Sequence, residues 1–178
     1  MEIEKGSVRL ECLEGDITRQ GDIDAVVNAA NAYLRSGGGV AGAIHRAAGP
    51  ELEKVCRPLS PIKPGEAVIT PAFNLPNRYV IHCLGPVYGV DKPEGGILFR
   101  CYSNALKLAE KHRISSVAFP AISTGIFGFP MEKAARVAFA AILSMVPELL
   151  SVTSIRFVLY NKESLEVHES VLAEMANS

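Results

Sequence analysis

The sequence lacks a strong net charge and a long apolar run. Eighteen basic residues stand against nineteen acidic ones, which leaves a formal net charge of −1 over 178 residues. Because no large positive field is present, general nucleic-acid binding is not expected. The longest apolar stretch, 137–146, is much shorter than a membrane span of about 20 residues. It is interpreted as a buried helix, and no membrane association is expected.

Clustered metal ligands and a disulfide framework are also missing. The four cysteines, at positions 12, 56, 83 and 101, form no CxxC pair and follow no regular spacing. They are interpreted as reduced, buried thiols, so we expect neither a metal site nor a cofactor. The first residues are charged and contain no apolar segment typical of a signal peptide, and we therefore expect a cytoplasmic location.

Short β-branched runs alternate with longer helical segments, which is typical of an α/β fold. The pattern predicts strands at 8–13, 25–28, 67–70, 79–83, 117–121 and 155–160, and helices at 41–48, from about 51, at 99–112, at 131–146 and at 165–175. We expect one domain, 1–178, with a mixed sheet covered by helices on both faces. Such sheets bind ligands in the loops at the carboxyl ends of their strands.

The most informative stretch combines Val-Asn-Ala-Ala-Asn at 27–31 with Gly-Gly-Gly-Val-Ala-Gly at 37–42. Three glycines before a helix leave backbone amides uncovered beside the positive helix end, a favourable place for a pyrophosphate. The carboxamides of Asn28 and Asn31 can both donate to and accept from sugar hydroxyls. The alternative interpretation is a flexible surface loop with turn-forming asparagines.

Two common nucleotide-binding motifs do not explain these glycines. Gly37, Gly39 and Gly42 match the spacing GxGxxG, but a Rossmann site needs a tight strand-to-helix turn and a strand after the helix. Here the predicted strand ends near Asn28, well before the glycines, and the segment 51–56 continues helically. A Walker A loop is excluded because no Gly-Lys-Ser/Thr follows.

Three further loops carry polar, aromatic or small residues at strand ends. The carboxylate of Asp16 can accept a hydrogen bond from the amino group of adenine, whereas it would repel the oxygen that guanine has at that position. The alternative interpretation is a turn residue, since aspartate is common in turns. Loop 120–128, Pro-Ala-Ile-Ser-Thr-Gly-Ile-Phe-Gly, offers amides and hydroxyls to phosphate, or is an ordinary strand-to-helix connection. Tyr160 can stack on adenine, or is a half-buried residue at a strand end.

Taken in order, these motifs closely resemble those of macro domains over nearly the whole chain. The resemblance implies a three-layer α/β/α fold with a mixed central sheet and a cleft for ADP-ribose, which is a ligand and not a cofactor. Asp16 and the Ile17 backbone would read adenine, Tyr160 would stack on it, and Asn31 would face the distal ribose. The full set of ligand-binding residues implied is Asp16, Ile17, Asn28, Asn31, Gly37, Gly38, Gly39, Val40, Ser123, Thr124, Gly125, Ile126, Phe127 and Tyr160.

Catalytic activity depends on residues beyond those that bind the ligand. One hydrolase subgroup of macro domains carries an aspartate after Gly-Gly-Gly-Val, where this chain has Ala41, and alanine cannot move a proton. We expect binding of free or protein-attached ADP-ribose with weak, metal-independent hydrolysis of ADP-ribosyl esters or of ADP-ribose-1''-phosphate. Asn31, holding a water activated by a ligand phosphate, and Phe127 are the catalytic candidates. The alternatives are a non-catalytic ADP-ribose reader and a domain for another adenine nucleotide such as NAD.

Other reactive residues are given structural interpretations. His45 and Arg46 follow the glycines, and His45 is expected to be a packed or solvated helix residue. His82 and Cys83 are expected in the core on opposite faces of a strand, which argues against a Cys–His dyad. Ser123 lies in no Gly-x-Ser-x-Gly turn, so a serine hydrolase is not expected. Expected partners are mono-ADP-ribosylated proteins or poly(ADP-ribose), and the chain is expected to be a monomer.

Overall fold

The computed structural model describes all residues 1–178 and contains seven strands and five helices. In chain order these are β1 (Glu2–Lys5), β2 (Val8–Glu14), β3 (Ala25–Ala29), α1 (Gly39–Ala48), α2 (Pro50–Cys56), β4 (Ala67–Pro71), β5 (Tyr79–Cys83), α3 (Glu94–Lys111), β6 (Ser116–Phe119), α4 (Met131–Met145), β7 (Ser154–Leu159) and α5 (Lys162–Ala176). A short 3₁₀ turn, Ile17–Arg19, follows β2.

All seven strands form one mixed sheet in the order β1-β2-β7-β6-β3-β5-β4. The inner strands β2, β7, β6, β3 and β5 pair in parallel, whereas the edge strands β1 and β4 are antiparallel to their neighbours. The predicted mixed sheet is therefore confirmed. Because parallel strands point the same way, the loops that follow the inner strands emerge along one edge of the sheet.

Helices cover both faces of this sheet, which gives three layers. Alternation along the buried strands separates the core in two: Val27 of β3 packs with the cluster under α3, α4 and α5, whereas its neighbour Val26 packs with the cluster under α1 and α2. Strand β5 divides in the same way between Ile81 and Val80. The three-layer α/β/α fold expected from the sequence is confirmed.

Several element boundaries differ from the sequence-based prediction. Strand β1 was not predicted, because a charged edge strand has no continuous apolar run. Helix α1 begins at Gly39 and so includes the third glycine. Helix α3 begins at Glu94, several residues before the predicted Phe99, since Gly95 and Gly96 obscure its helical pattern. None of the helices combines the length and apolar character that a membrane crossing needs.

Candidate functional site

A cleft of about 950 Å³ opens along the edge of the sheet where the parallel strands end. A volume of this size is within the range of small-molecule sites. The lining residues come from the loops after β2, β3, β5, β6 and β7, from α1 and from the first turns of α4 and α5. They include Gly15, Asp16, Ile17, Asn31, Gly37, Gly38, Gly39, Val40, Ala41, Arg46, Gly85, Ser123, Thr124, Gly125, Ile126, Phe127, Tyr160 and Asn161.

Strand order fixes the order of the side chains along the cleft. Asp16 follows β2, Tyr160 follows the adjacent β7, loop 120–128 follows β6, and Asn31 follows β3. Asp16 and Asn31 thus stand three strands apart, a separation of about 14 Å at the usual spacing of paired strands. The cleft therefore suits an elongated ligand whose middle portion crosses loop 120–128.

Asp16 begins the 3₁₀ turn as its N-cap and lines one end of the cleft. Its Oδ1 accepts hydrogen bonds from the hydroxyl and the backbone N–H of Thr18, at 2.7 and 2.9 Å. These two bonds lower the pKa of Asp16 below its ordinary value, which keeps the carboxylate ionised near neutral pH. The carboxylate is about half exposed, and Oδ2 faces only the exposed Arg19, whose Nε lies 3.7 Å away, beyond hydrogen-bond distance. Oδ2 can therefore accept a hydrogen bond from a ligand.

A buried side-chain relay supports the Asp16 turn from below. Gln20 Nε2 donates to the carbonyl oxygen of Asp16 at 2.8 Å, and Gln20 Oε1 accepts from Nη1 of Arg156 at 2.9 Å. Arg156 also pairs with Glu11 and Asp22, at 3.0 and 2.7 Å. Because both Gln20 and Arg156 are buried, the turn that presents Asp16 is attached to β7.

Tyr160 lies just beyond β7 and is 91% exposed at the mouth of the cleft. Its ring packs against little of the protein, and it is not half-buried at the strand end. An exposed aromatic face beside the Asp16 carboxylate is free to stack on a planar ring.

The glycine-rich loop packs closely against the first turn of α1. A Cβ on Gly42 would lie 2.1 Å from the carbonyl oxygen of Gly37, so only glycine permits this approach. Gly38 is the N-cap of α1, and the first backbone N–H groups of a helix have no intrahelical acceptor. Gly37, Gly38, Gly39 and Val40 all line the cleft, where these N–H groups and the helix dipole favour an anion.

Loop 120–128 forms the opposite wall. Ser123 has a positive φ of 68°, and its buried Oγ has no hydrogen-bond partner within the protein. A Cβ on Gly85 would lie 2.1 Å from this Oγ, so a glycine after β5 makes room for Ser123. The loop is held by hydrogen bonds from Phe129 N to Ser123 O and from Tyr88 N to Phe127 O, at 2.9 and 2.8 Å. Ile126 at its tip is 94% exposed.

Asn31 lines the cleft at the end of β3, and its orientation is fixed by the loop itself. Its Nδ2 donates to the carbonyl oxygen of Arg35 at 2.8 Å, and its Oδ1 accepts from the Arg35 N–H at 3.0 Å. A carboxamide has two N–H donors and an oxygen with two lone pairs. One N–H and one lone pair therefore remain free to hold a ligand hydroxyl or a water.

Asn28 is the one predicted ligand-binding residue that the structure does not bring to the cleft. It is completely buried, and its Nδ2 lies 3.1 Å from Nδ1 of His82. The other nitrogen of His82, Nε2, lies 3.0 Å from the Thr70 hydroxyl. Alternation along β3 turns the Asn28 side chain into the core, so it does not line the cleft to which the sequence assigned it.

His82 is neutral in this network. The Thr70 hydroxyl donates to the carbonyl oxygen of Pro71, so it accepts from Nε2–H of His82 and leaves Nδ1 to accept from Asn28. Burial and the nearby His45 lower the pKa of His82 to about 3. His45 is also buried, with its pKa lowered by burial, and Cys83 lies on the other face of β5. His82 is a core residue, as the sequence predicted, and of the two alternatives left open for His45 the structure shows the packed one.

Some cleft residues were not identified from the sequence as ligand-binding. Gly85 follows β5, and the rule that ligands bind at strand carboxyl ends would have found it. Arg46 was noted but assigned no role. Asn161 caps α5 by accepting from Ser164 N at 2.8 Å, and both residues border the cleft near Tyr160. Histidine, cysteine, aspartate and glutamate side chains form no group of three or more that could hold a metal ion.

The fold and the cleft define an α/β domain with a nucleotide-sized site at the edge of its sheet. The family model described as Macro domain matches residues 27–138. A macro domain-containing protein from Chlorobaculum tepidum is 44% identical over 168 residues, with 94% of this chain and 97% of the relative covered. An O-acetyl-ADP-ribose deacetylase from Salmonella typhimurium is 42% identical over 174 residues, which cover 95% of this chain and 97% of that protein.

Solved structures agree. A macrodomain from Oceanobacillus iheyensis with ADP superposes with a TM-score of 0.95 at 36% identity, covering 99% of this chain and 96% of the other. A Trypanosoma brucei macrodomain in complex with ADP-ribose superposes with a TM-score of 0.86 at 34% identity, covering 92% and 68%. This chain belongs to the macro domain family.

Proposed function

We propose that this protein binds ADP-ribose, free or attached to protein, in the cleft at the carboxyl edge of its sheet. The order of the cleft residues carries the proposal. An acceptor and an aromatic ring stand at one end (Asp16 and Tyr160), two loops rich in exposed amides follow, and a carboxamide (Asn31) stands at the other end. Adenine, a diphosphate and a second ribose have matching chemistry in the same order. The Trypanosoma brucei relative solved with ADP-ribose supports this assignment.

Calorimetric titration of ADP-ribose into the wild type and Asp16→Asn tests the proposal. Asparagine keeps an oxygen that can cap the turn but adds N–H donors, so the variant should bind ADP-ribose about tenfold more weakly. It should also lose discrimination against GDP-ribose, because its N–H can face the guanine oxygen. ADP alone should bind more weakly than ADP-ribose to both proteins. If the wild type shows no detectable binding of ADP-ribose, the proposal is wrong.

We further propose that the protein hydrolyses esters or a phosphate at the distal ribose through the ligand itself. Asp16 is the sole carboxylate that lines the cleft, and it stands about 14 Å from Asn31 by strand spacing. Residue 41, in the first turn of α1, is alanine, and no side chain that lines the cleft near Asn31 can act as a general base. A water held by Asn31 would give one proton to a ligand phosphate oxygen as its oxygen attacks the ester carbonyl carbon or the phosphorus. The bond to the ribose oxygen then breaks, and that oxygen takes up the proton to leave as a hydroxyl, while Phe127 shapes the opposite wall. The Salmonella deacetylase supports activity of this class.

Single-turnover cleavage of O-acetyl-ADP-ribose and of an ADP-ribosylated glutamyl peptide tests this mechanism. In Asn31→Ala the rate at saturating enzyme should fall at least tenfold, in the range by which loss of a positioned catalytic group slows a reaction. ADP-ribose affinity is measured in parallel, so that loss of binding is separated from loss of chemistry. An unchanged rate in a variant that still binds would exclude a role for Asn31. Absence of turnover in the wild type would leave the reader function, in which ADP-ribose is bound and not cleaved.

A further inference from the structure

Arg46 is the one arginine or lysine that lines the cleft, and nothing in the protein pairs with it. It lies in the last turn of α1 and its side chain is exposed. No carboxylate oxygen lies within 4.0 Å of its guanidinium, although other arginines, such as Arg57 and Arg136, have such partners. Its guanidinium also makes no side-chain hydrogen bond of the kind that Arg136 and Arg156 make. The charge is therefore presented to solvent within the cleft.

The guanidinium of Arg46 lies at the same end of the cleft as Asn31. A Cβ placed on Gly42 would lie 2.9 Å from Nη1 of Arg46, so the side chain folds back toward the first turn of α1. The same point is 2.1 Å from the carbonyl oxygen of Gly37, and a Cβ on Gly37 would lie 3.4 Å from Nδ2 of Asn31. Gly37 thus connects Arg46 with Asn31, at the end of the cleft opposite Asp16.

A basic residue in the last turn of a helix often serves only the helix dipole. Arg46 does not fit that explanation, because its Nη1 lies beside Gly42, about one turn back along the helix from Arg46 itself. No acidic residue of the cleft neutralises the Arg46 charge either, since residue 41 is alanine and the one acid that lines the cleft, Asp16, stands at the opposite end. An unpaired guanidinium in a concave site is suited to a phosphate or carboxylate, which it can bind through two parallel hydrogen bonds.

We propose that Arg46 is a specificity-determining residue that selects ligands whose distal-ribose substituent carries a negative charge. The inference rests on the proposed binding of ADP-ribose in this orientation. A phosphate on the distal ribose, or an ester whose acyl group ends in a free carboxylate, would place an anionic oxygen group beside Arg46. A free hydroxyl or an acetyl ester would leave the guanidinium unpaired.

Competition against a fluorescent ADP-ribose derivative, read before turnover, tests the proposal with two matched pairs of probes. The first pair is ADP-ribose-1''-phosphate and ADP-ribose; the second is O-succinyl- and O-acetyl-ADP-ribose, which differ in a terminal carboxylate. In the wild type at least one charged probe should bind about tenfold more tightly than its neutral partner, as charge-assisted hydrogen bonds allow. The pair that shows the preference identifies phosphate or carboxylate as the preferred group.

Arg46→Gln should reduce this ratio to about one, and Arg46→Lys should retain part of it as a point charge. Arg57→Gln removes the same charge from an exposed residue outside the cleft and should leave the ratio at its wild-type value. The preference should also weaken as salt is raised, because the interaction is between charges. The measured quantity is a ratio within one protein, so a general loss of affinity does not imitate the result.

Two outcomes would overturn the inference while leaving the proposed function intact. One is a wild type that binds ADP-ribose without preferring either charged probe. The other is a preference that survives in Arg46→Gln. Failure of the wild type to bind ADP-ribose at all would instead remove the proposed function, and the role of Arg46 with it.

Discussion

Gly42 shows how one residue holds the glycine-rich loop against α1. A Cβ at this position would meet the carbonyl oxygen of Gly37 at 2.1 Å, a contact that backbone atoms cannot relieve by rotating. Gly42→Ala should therefore displace the loop, lower the unfolding free energy by about 1–3 kcal/mol and weaken ADP-ribose binding. Denaturant unfolding and calorimetry measure the two effects.

Gly95→Ala is the matched control for this prediction. Gly95 also lies within a helix, and a Cβ there would meet only Val137 Cγ2 at an ordinary 3.8 Å. Alanine should be neutral or stabilising at that position by up to about 1 kcal/mol, because it is the better helix former. Equal effects of the two substitutions would contradict the proposed close packing of Gly42 against Gly37.

His82 makes folding stability depend on pH. Its folded pKa is about 3, below the ordinary value near 6.5, so the unfolded chain binds more protons between these limits. The contribution to stability is complete above about pH 6.5 and is lost as the pH falls toward 3, at no more than about 1.4 kcal/mol per pH unit. Denaturant unfolding measured between about pH 4 and 8 should show this slope below about pH 6.5 and no contribution from His82 above it.

His82→Gln should flatten the pH dependence, whatever its effect on stability at neutral pH. The slope that remains should come in part from His45 and His168, whose pKa values are also lowered by burial. His112→Gln makes the same substitution outside this network and serves as the control for the substitution itself. A His82→Gln protein with an unchanged slope would show that protonation of His82 does not oppose folding.

At the scale of elements, the 3₁₀ turn that carries Asp16 depends on β7 for its position. Gln20 connects the Asp16 carbonyl to Arg156, two contacts of 2.8 and 2.9 Å in a buried setting. Gln20→Met has a similar size but makes neither hydrogen bond. It should weaken ADP-ribose binding about three- to tenfold, because the two lost hydrogen bonds, one of them to a charged guanidinium, no longer hold the turn in place.

Asp22→Asn provides the comparison for Gln20→Met. Asp22 accepts a hydrogen bond from Nη2 of the same arginine at 2.7 Å, whereas its carboxylate makes no hydrogen bond to the Asp16 turn. Calorimetry should therefore show near wild-type ADP-ribose affinity in Asp22→Asn. If both variants lose affinity equally, the loss comes from disturbing Arg156 and not from the bond between Gln20 and Asp16. If neither variant loses affinity, the turn needs no support from Gln20.

For the whole molecule, the cleft joins loops that are distant in sequence. A ligand that contacts the loops after β2, β3, β6 and β7 binds only when the sheet is assembled, so it should stabilise the entire fold. ADP-ribose at about 100 times its Kd should add about 2.7 kcal/mol, which corresponds to a Tm increase of about 5–10 °C. Scanning calorimetry with ADP-ribose and with GDP-ribose measures this, and GDP-ribose should give a much smaller shift. Equal shifts would argue against selection of adenine by Asp16.

The sequence by itself determined the parts of this protein that depend on local pattern. Strands such as β5 and the buried helix α4 follow from apolar periodicity. The glycine loop, Asp16 and loop 120–128 were found because turn chemistry and strand ends are visible within a few residues. Periodicity was insufficient to predict β1, because a charged edge strand has no apolar pattern. It also did not predict that the Asn28 side chain points into the core, which depends on the register of β3 in the sheet.

Only the tertiary structure decided which loops and side chains that are distant in sequence lie next to one another. The order of loops along the sheet edge follows from the strand order β2-β7-β6-β3, which no local pattern encodes. Gln20 and Arg156 form a hydrogen bond although 136 positions separate them in the chain. Ser123, in the loop after β6, packs against Gly85, in the loop after β5. The unpaired charge of Arg46 is likewise a property of its surroundings. Contacts of this kind form when distant segments pack, because packing depends on the shape of the whole core and not on the neighbouring residues in sequence.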